Sequence, residues 1–296
     1  MDIGGTKVKA GLINQEGGVL ALLEEKTDKE NLLGQVISII DRLIGDKKEI
    51  KGIGIGTAGR VNAETGSIHF ATANLPGWEG TEVKKLIEGR FNLPTVVDND
   101  ANTAAFAEME LGSALNEKNF MCITLGTGVG AGLILNGEVH HGRNGGAGEV
   151  GHMIFMPNGR PCNCGKNGCW EQYVSGTALS LDIKDSALGN QNIGPVELFK
   201  LADEQNPIAS IIVDRFITNL AIGIVSLQSI LDLECFVVGG GVISSSDTWW
   251  NSFLTKLDGM AEQPISVKKA MLKNDAGMLG AALMAGRYAA VHSTNY

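Results

Sequence analysis

Hydrophobic and polar positions divide the chain into short alternating runs and longer helical stripes. Asp2-Ile3-Gly4-Gly5-Thr6-Lys7 leads into Val8, Ala10 and Leu12 at every second position; Asn14 to Gly18 carries turn chemistry, and Val19 to Leu23 resumes the apolar run. This pattern predicts a β-hairpin. Leu32, Leu33, Val36, Ile37, Ile40, Leu43 and Ile44 recur at helical spacing. Ile53-Gly54-Ile55-Gly56-Thr57 reads as a buried strand ending in a glycine turn, and Thr95-Val96-Val97 as a strand meeting Asp98-Asn99-Asp100. A helix is expected over Ala101 to Glu110, then a strand over Phe120 to Leu125 that enters a second glycine loop.

The two glycine loops can be aligned. Gly5-Thr6-Lys7-Val8-Lys9-Ala10-Gly11-Leu12-Ile13 and Gly126-Thr127-Gly128-Val129-Gly130-Ala131-Gly132-Leu133-Ile134 agree at seven of nine positions, and glycine supplies only two of the matches. Phe236-Val237-Val238-Gly239-Gly240-Gly241 repeats the strand-glycine pattern of Ile53 to Gly56. We read this as an internal duplication, giving two similar α/β domains that face one nucleotide-closing cleft. The expected domains are 1–112, joined by a C-terminal helix within 277–296, and 113–276. The polar stretch Glu108 to Asn119 is expected to be helical and to mark the boundary.

Composition narrows the function. A chain of 296 residues with 44% hydrophobic positions can bury two cores. A net charge of −9 makes nucleic-acid binding a poor fit. No signal peptide and no apolar run of membrane-spanning length stands out, so a cytoplasmic protein without a membrane partner is expected. Five cysteines, three of them within eight residues, point to metal in a reducing compartment rather than to disulfides.

Candidate chemistry falls into three groups. Gly4, Gly5 and Thr6 form one turn whose amides can converge on an anion, and Gly126, Thr127 and Gly128 form its mate. Either turn alone reads equally as an ordinary hairpin; the pair in duplicated frames points to phosphate. Asp2 at the strand end can hold Mg²⁺ through water. Gly239 to Gly241 can let a purine lie against bare backbone. In the second group, His152, Cys162, Cys164 and Cys169 form His-x9-Cys-x-Cys-x4-Cys with Gly165 and Gly168 inside the turn. One imidazole and three thiolates are a closed tetrahedral set for structural Zn²⁺, within a zinc-binding segment 152–171. Cys122 and Cys235 sit in apolar strands and read as inert core. The third group is carboxylates. Asp98 reads as a turn or helix-cap residue, and Asp100 as either an N-cap or a base that takes a hydroxyl proton. Glu149 and Glu171 flank the metal segment and can bind hydroxyls or remain surface charge. Trp78, after Asn74-Leu75-Pro76-Gly77, reads as core.

Together these residues resemble the ROK family (repressors, open reading frames, kinases), within the hexokinase/actin/Hsp70-like ATPase fold. The resemblance runs along essentially the whole chain. Its most specific section is Gly145-Gly146-Ala147-Gly148-Glu149-Val150-Gly151-His152 with Cys162-Asn163-Cys164-Gly165-Lys166-Asn167-Gly168-Cys169-Trp170-Glu171. Asp2 to Lys7, Asn99-Asp100-Ala101-Asn102 and Leu125 to Gly128 also fit. It implies two duplicated actin-like (ribonuclease H-like) domains flanking a cleft. It implies ATP-dependent phosphorylation of a hexose 6-hydroxyl, with Asp100 as general base. Asn99, Glu149, His152 and Glu171 hold sugar hydroxyls, joined by Gly59 and Asn74. Asp2, Gly4, Gly5, Thr6, Lys7, Thr127 and Gly128 serve the phosphates, and Gly239 and Gly240 border the adenosine. ATP, Mg²⁺ and a structural Zn²⁺ are the implied cofactors, and a homodimer or tetramer the implied assembly. His152 would use one ring nitrogen for zinc and the other for sugar.

Family members carry several apolar residues ahead of the Asp-Ile-Gly-Gly-Thr-Lys motif, whereas only Met1 precedes Asp2 here. A shortened first strand and a weakened core are therefore expected. The family's sugar-sensing repressors carry an N-terminal helix-turn-helix, for which the chain leaves no room ahead of the motif. An Hsp70-like protein-directed ATPase is foreign to the cysteine segment and the Asn99-Asp100 pair. Trp170-Glu171-Gln172-Tyr173 and Gly176 look most like the glucokinase branch; kinases for N-acetylmannosamine, N-acetylglucosamine and fructose share the other motifs.

Overall fold

The computed structural model describes residues 1–45, 49–71 and 74–293. In chain order the first part of the chain forms β1 (Asp2–Ile3), β2 (Lys7–Ile13), β3 (Val19–Lys26), α1 (Leu32–Ile44), β4 (Ile53–Thr57), β5 (Arg60–Asn62), β6 (Ser67–Phe70), α2 (Val83–Phe91), β7 (Thr95–Asn99) and α3 (Asp100–Leu111). The second part forms β8 (Phe120–Leu125), β9 (Val129–Leu135), β10 (Glu138–Val139), α4 (Glu171–Val174), α5 (Gly176–Lys184), α6 (Pro195–Asp203), α7 (Pro207–Leu231), β11 (Cys235–Gly239), α8 (Trp250–Met260) and β12 (Val267–Lys269). The chain closes with α9 (Ala276–Ser293).

Two five-stranded sheets have the same plan. One runs β3-β2-β1-β4-β7 and the other β10-β9-β8-β11-β12. In the first, β1 pairs antiparallel with β2 and parallel with β4; in the second, β11 pairs parallel with both β8 and β12. The matched glycine loops occupy equivalent places, between β1 and β2 and between β8 and β9. The α/β duplication read from the sequence is thus present in the strand order.

The chain divides into two compact units. The first is Met1–Asn116, Gly132–Ala147 and Asn274–Tyr296, and the second Glu117–Ala131 and Gly148–Lys273. Residues 132–147 belong to the first unit, which corrects the sequence-based boundary: β10 packs on α3, and the loop beyond it is bonded to the end of β7. A second correction concerns Glu108 to Asn119. The helix stops at Leu111, with Gly112 as its cap and turns beyond. Glu108 is buried, not surface-polar, and its Oε2 accepts from Ser113 N at 2.7 Å.

In the first unit, α9 crosses α3 and β4 at backbone distance. A Cβ on Gly280 would lie 1.7 Å from Thr103 O, and one on Gly54 would lie 1.8 Å from Ala281 O. Only glycine permits this approach. Ile3, Val8, Val36, Ile39 and Ile55 fill the core between the sheet and α1. β1 is central in its sheet yet pairs through only two residues on each side. Met1 is buried, and its amino nitrogen donates to Gly54 O at 2.8 Å. Burial pushes that amine down to about 6, against the pull of Asp2. Beyond Met1 a cavity of about 1540 Å³ opens, with Leu12, Ile13, Ile40, Ile44, Ile53 and Leu283 on its walls.

The second unit packs α7 against α6 and α8. Phe199, Phe216, Trp249, Trp250 and Phe253 form a continuous aromatic cluster there. α7 is long and apolar, with 25 residues and a mean hydropathy of 1.8 over its most apolar 18, but Asp214 and Arg215 interrupt its apolar run. Half of that apolar window is buried inside the protein, as a core helix requires.

Candidate active site

The end of β7 carries the first candidate group. Asn99 is extended (φ −64°, ψ 146°), and its Oδ1 accepts from Ala101 N at 2.8 Å and Asn102 N at 3.3 Å. Asn99 is therefore the N-cap of α3. The sequence reading gave that role to Asp98 or Asp100, and the structure corrects it: an N-cap must be the last extended residue, and α3 begins at Asp100. Asn99 Nδ2 donates to Gly59 O at 2.8 Å, which brings Gly59 to the same point. Asp100 stands in the first turn of α3, half-buried, and its Oδ1 accepts from Ala101 N at 2.9 Å.

The β1–β2 turn is the second group. Gly4 N donates to Lys7 O at 2.9 Å, and Thr27 closes the turn from behind through Oγ1 to Gly4 O at 2.7 Å and N to Thr6 O at 3.0 Å. A Cβ on Gly5 would lie 3.0 Å from Asn74 Cβ, so Asn74 packs on this turn. Asp2 lies against Gly277 at the start of α9. Burial raises its carboxyl pKa, opposed by the Met1 amine, Lys7 and Lys9. Trp78 is buried and donates from Nε1 to Thr57 Oγ1 at 3.0 Å, as a core residue.

The second unit holds the equivalent turn and the cysteine segment. Gly126 N donates to Gly128 O at 2.9 Å, and Gly176 N to Gly126 O at 2.7 Å. Val129 N, just after Thr127-Gly128, donates to Glu171 Oε2 at 3.0 Å. Glu171 is thereby held against the turn, with its other oxygen 3.6 Å from Cys162 Sγ. Glu149 Oε2 is 3.9 Å from His152 Nε2. Gly240 follows β11 at φ +88°, where a Cβ would lie 2.4 Å from Leu125 O, so the backbone there is bare.

His152, Cys162, Cys164 and Cys169 bring their ligand atoms within 4.8 Å of one another. Cys164 Sγ and Cys169 Sγ are 3.5 Å apart, and Cys162 Sγ lies 3.6 Å from His152 Nδ1. Tetrahedral zinc with Zn–S near 2.3 Å and Zn–N near 2.0 Å requires about 3.8 Å between sulfurs and about 3.6 Å between sulfur and nitrogen. The residues fit that ion. Burial, followed by the neighbouring thiols of Cys164 and Cys162, pushes the Cys169 thiol up to about 12; a divalent cation is what would reverse this. Nδ1 faces the thiols, and Nε2 faces Glu149. Cys122 and Cys235 are buried in β8 and β11.

One titratable residue escaped the sequence reading. His141 Nε2 lies 2.6 Å from Asp98 Oδ2. That bond raises the His141 pKa, against burial. The contact spans 43 positions in sequence, and nothing local to His140-His141-Gly142 announces it.

The whole chain has known relatives. Residues 1–287 match the ROK family. The glucokinase of Streptomyces coelicolor is 35% identical, over 96% of both chains. The N-acetylmannosamine kinase of Yersinia pseudotuberculosis is 31% identical, over 96% of this chain and 97% of its own. Among solved structures, the ROK glucokinase of Streptomyces griseus in complex with glucose and AMPPNP superposes with a TM-score of 0.81 at 32% identity, covering 97% of this chain and 98% of that one. The fold is the duplicated α/β fold of the actin-like ATPases. The chain belongs to the ROK family.

Proposed function

We propose that this ATP-dependent sugar kinase moves the γ-phosphoryl of ATP onto the 6-hydroxyl of a hexose, with glucose as substrate and Asp100 as general base. The observation that carries the reading is the division of labour at the end of β7. Asn99 caps α3 through Ala101 N and Asn102 N, and this sets the carboxylate of Asp100 in the first helical turn beside it. In the reaction the sugar oxygen attacks the γ-phosphorus, the bond to the β-phosphate oxygen breaks, ADP leaves, and the hydroxyl proton passes to Asp100.

The other residues position the reactants. Asn99, Gly59, Asn74, Glu149, His152 and Glu171 are assigned to sugar hydroxyls. The turns at Gly4-Gly5-Thr6-Lys7 and Thr127-Gly128 offer amides to phosphate, and Gly239-Gly240 offers bare backbone to adenosine. Mg²⁺, held near Asp2 with the nucleotide, would supply neutralisation of phosphate charge. Zn²⁺ on His152 Nδ1, Cys162, Cys164 and Cys169 would fix the tautomer of His152 and leave Nε2 for a hydroxyl. The glucokinase relatives and the glucose-bound neighbour support glucose. The N-acetylmannosamine kinase relatives keep that sugar as the second reading.

Asp100→Ala tests the base. Turnover should fall by roughly 10²–10⁴-fold while sugar binding, followed by calorimetry, is kept; turnover within about tenfold of the parent removes Asp100 from that role. A coupled ADP assay over glucose, mannose, fructose, allose and the two N-acetylhexosamines tests the substrate.

A further inference from the structure

Asp98 is a buried carboxylate, only 3% exposed, at a strand position where an apolar side chain would pack at lower cost. It persists because three donors meet it. Asn99 N reaches Oδ1 at 2.7 Å, Asn102 Nδ2 reaches Oδ1 at 2.8 Å, and His141 Nε2 reaches Oδ2 at 2.6 Å. Two of these donors belong to residues on either side of Asp100. The third comes from the loop after β10, which the first unit holds.

The arrangement carries a local cost. Asn102 is buried, and its Oδ1 has no hydrogen-bond partner among the described residues. Its Nδ2 is committed to the Asp98 carboxylate. A buried acceptor left in this state opposes folding. Such a breach of local rules is expected where geometry serves function rather than stability.

We propose that His141 is a positioning residue for phosphoryl transfer: by holding Asp98, it fixes the Asn99 peptide and the first turn of α3, and so aims Asp100. The chain of contacts is continuous. His141 sets Asp98, Asp98 orients Asn99 N and Asn102 Nδ2, and Asn99 in turn caps α3 and grips Gly59 O. The proposal rests on the reading of Asp100 as the base and Asn99 as a sugar ligand. His141 itself touches neither reacting group in this scheme.

The side chain of His141 is 30% exposed, so a small molecule can reach the space left by its removal. The test compares His141→Ala, His141→Gln and Asp100→Ala by steady-state kinetics and melting temperature. In His141→Ala, kcat should fall about tenfold or more, with the KM for ATP changed less than about twofold. Added imidazole should restore part of that kcat, and His141→Gln, which keeps a donor for Asp98, should retain most of it. Imidazole should do nothing for Asp100→Ala. A His141→Ala kcat within about twofold of the parent overturns the proposal. So does a deficit that neither imidazole nor glutamine relieves, because a plain structural tether behaves that way. An active Asp100→Ala would instead remove the base reading, whereas an inactive Asp100→Ala beside a fully active His141→Ala removes only the role given to His141.

Discussion

Gly128→Ala probes the second unit with a single methyl group. Gly128 does not have a positive φ, so alanine meets no backbone strain there. The methyl would instead land 2.2 Å from Glu171 Oε2 and 3.2 Å from its Cδ. Restoring ordinary contact needs the carboxylate to retreat by about 1 Å. That retreat breaks the 3.0 Å bond from Val129 N, a bond to a charged group worth about 1.5–3 kcal/mol. Melting should fall by a few degrees, about 2–4 °C per kcal/mol for a chain of this size. If Glu171 binds a sugar hydroxyl, a displacement of about 1 Å can cost as much as 10²-fold in kcat/KM for sugar, or about 2.7 kcal/mol. The ADP-coupled assay, with sugar and MgATP varied separately, reads this as a rise in sugar KM. Gly128 also lies in a proposed phosphate turn, so the ATP KM can move as well. A double-mutant cycle separates the two effects. With Glu171→Ala the methyl has room, and Gly128→Ala should add almost nothing to the sugar KM while keeping any effect on ATP. An unchanged sugar KM in Gly128→Ala refutes the reasoning, as does an equal rise in both backgrounds.

Two further outcomes bear on the metal segment and on β1. Metal analysis should find about one zinc per chain, and Cys169→Ser should lose it with a larger rise in sugar KM than in ATP KM; clean, fully active protein without zinc contradicts the ligand set. The free Met1 amine, about 6 when folded against 8.0 as its ordinary value, binds fewer protons folded than unfolded between those values. Stability should therefore rise with pH across that window, by about 2–3 kcal/mol. Joining a few apolar residues ahead of Met1 should remove the slope and raise the melting temperature, and identical melting and slope in both forms would contradict this.

The parts legible in sequence share one property: their signal is local. The hairpin glycines repeat within nine positions, and the proposed metal ligands fall within eighteen, so spacing alone placed His152, Cys162, Cys164 and Cys169 together. What escaped was set by burial on several sides or by contacts distant in sequence. The buried face of α7 is one stripe, Ala209, Ile212, Val213, Phe216, Ile217, Leu220, Ala221, Ile224 and Leu227, but exposed Ile211, Ile222 and Ile230 blur it in the sequence. Its start was nonetheless marked, since Asn206 caps it through Ile208 N and Ala209 N with Pro207 in the first turn.

The run Asp98-Asn99-Asp100 shows where local reading stops. All three residue types can cap a helix, and propensity alone cannot rank them. Tertiary structure divides the roles. Asp98 is buried out of phase with Thr95 and Val97, because Asn102 and His141 meet it with donors. Asn99 is the last extended residue and so takes the cap. Asp100 inherits the first helical turn. Changing Asp98 or His141 is thus not a core substitution in disguise. It alters the acceptor that orders the two residues proposed to meet the sugar, and that is why rescue by a small donor, rather than loss of activity alone, is the informative measurement.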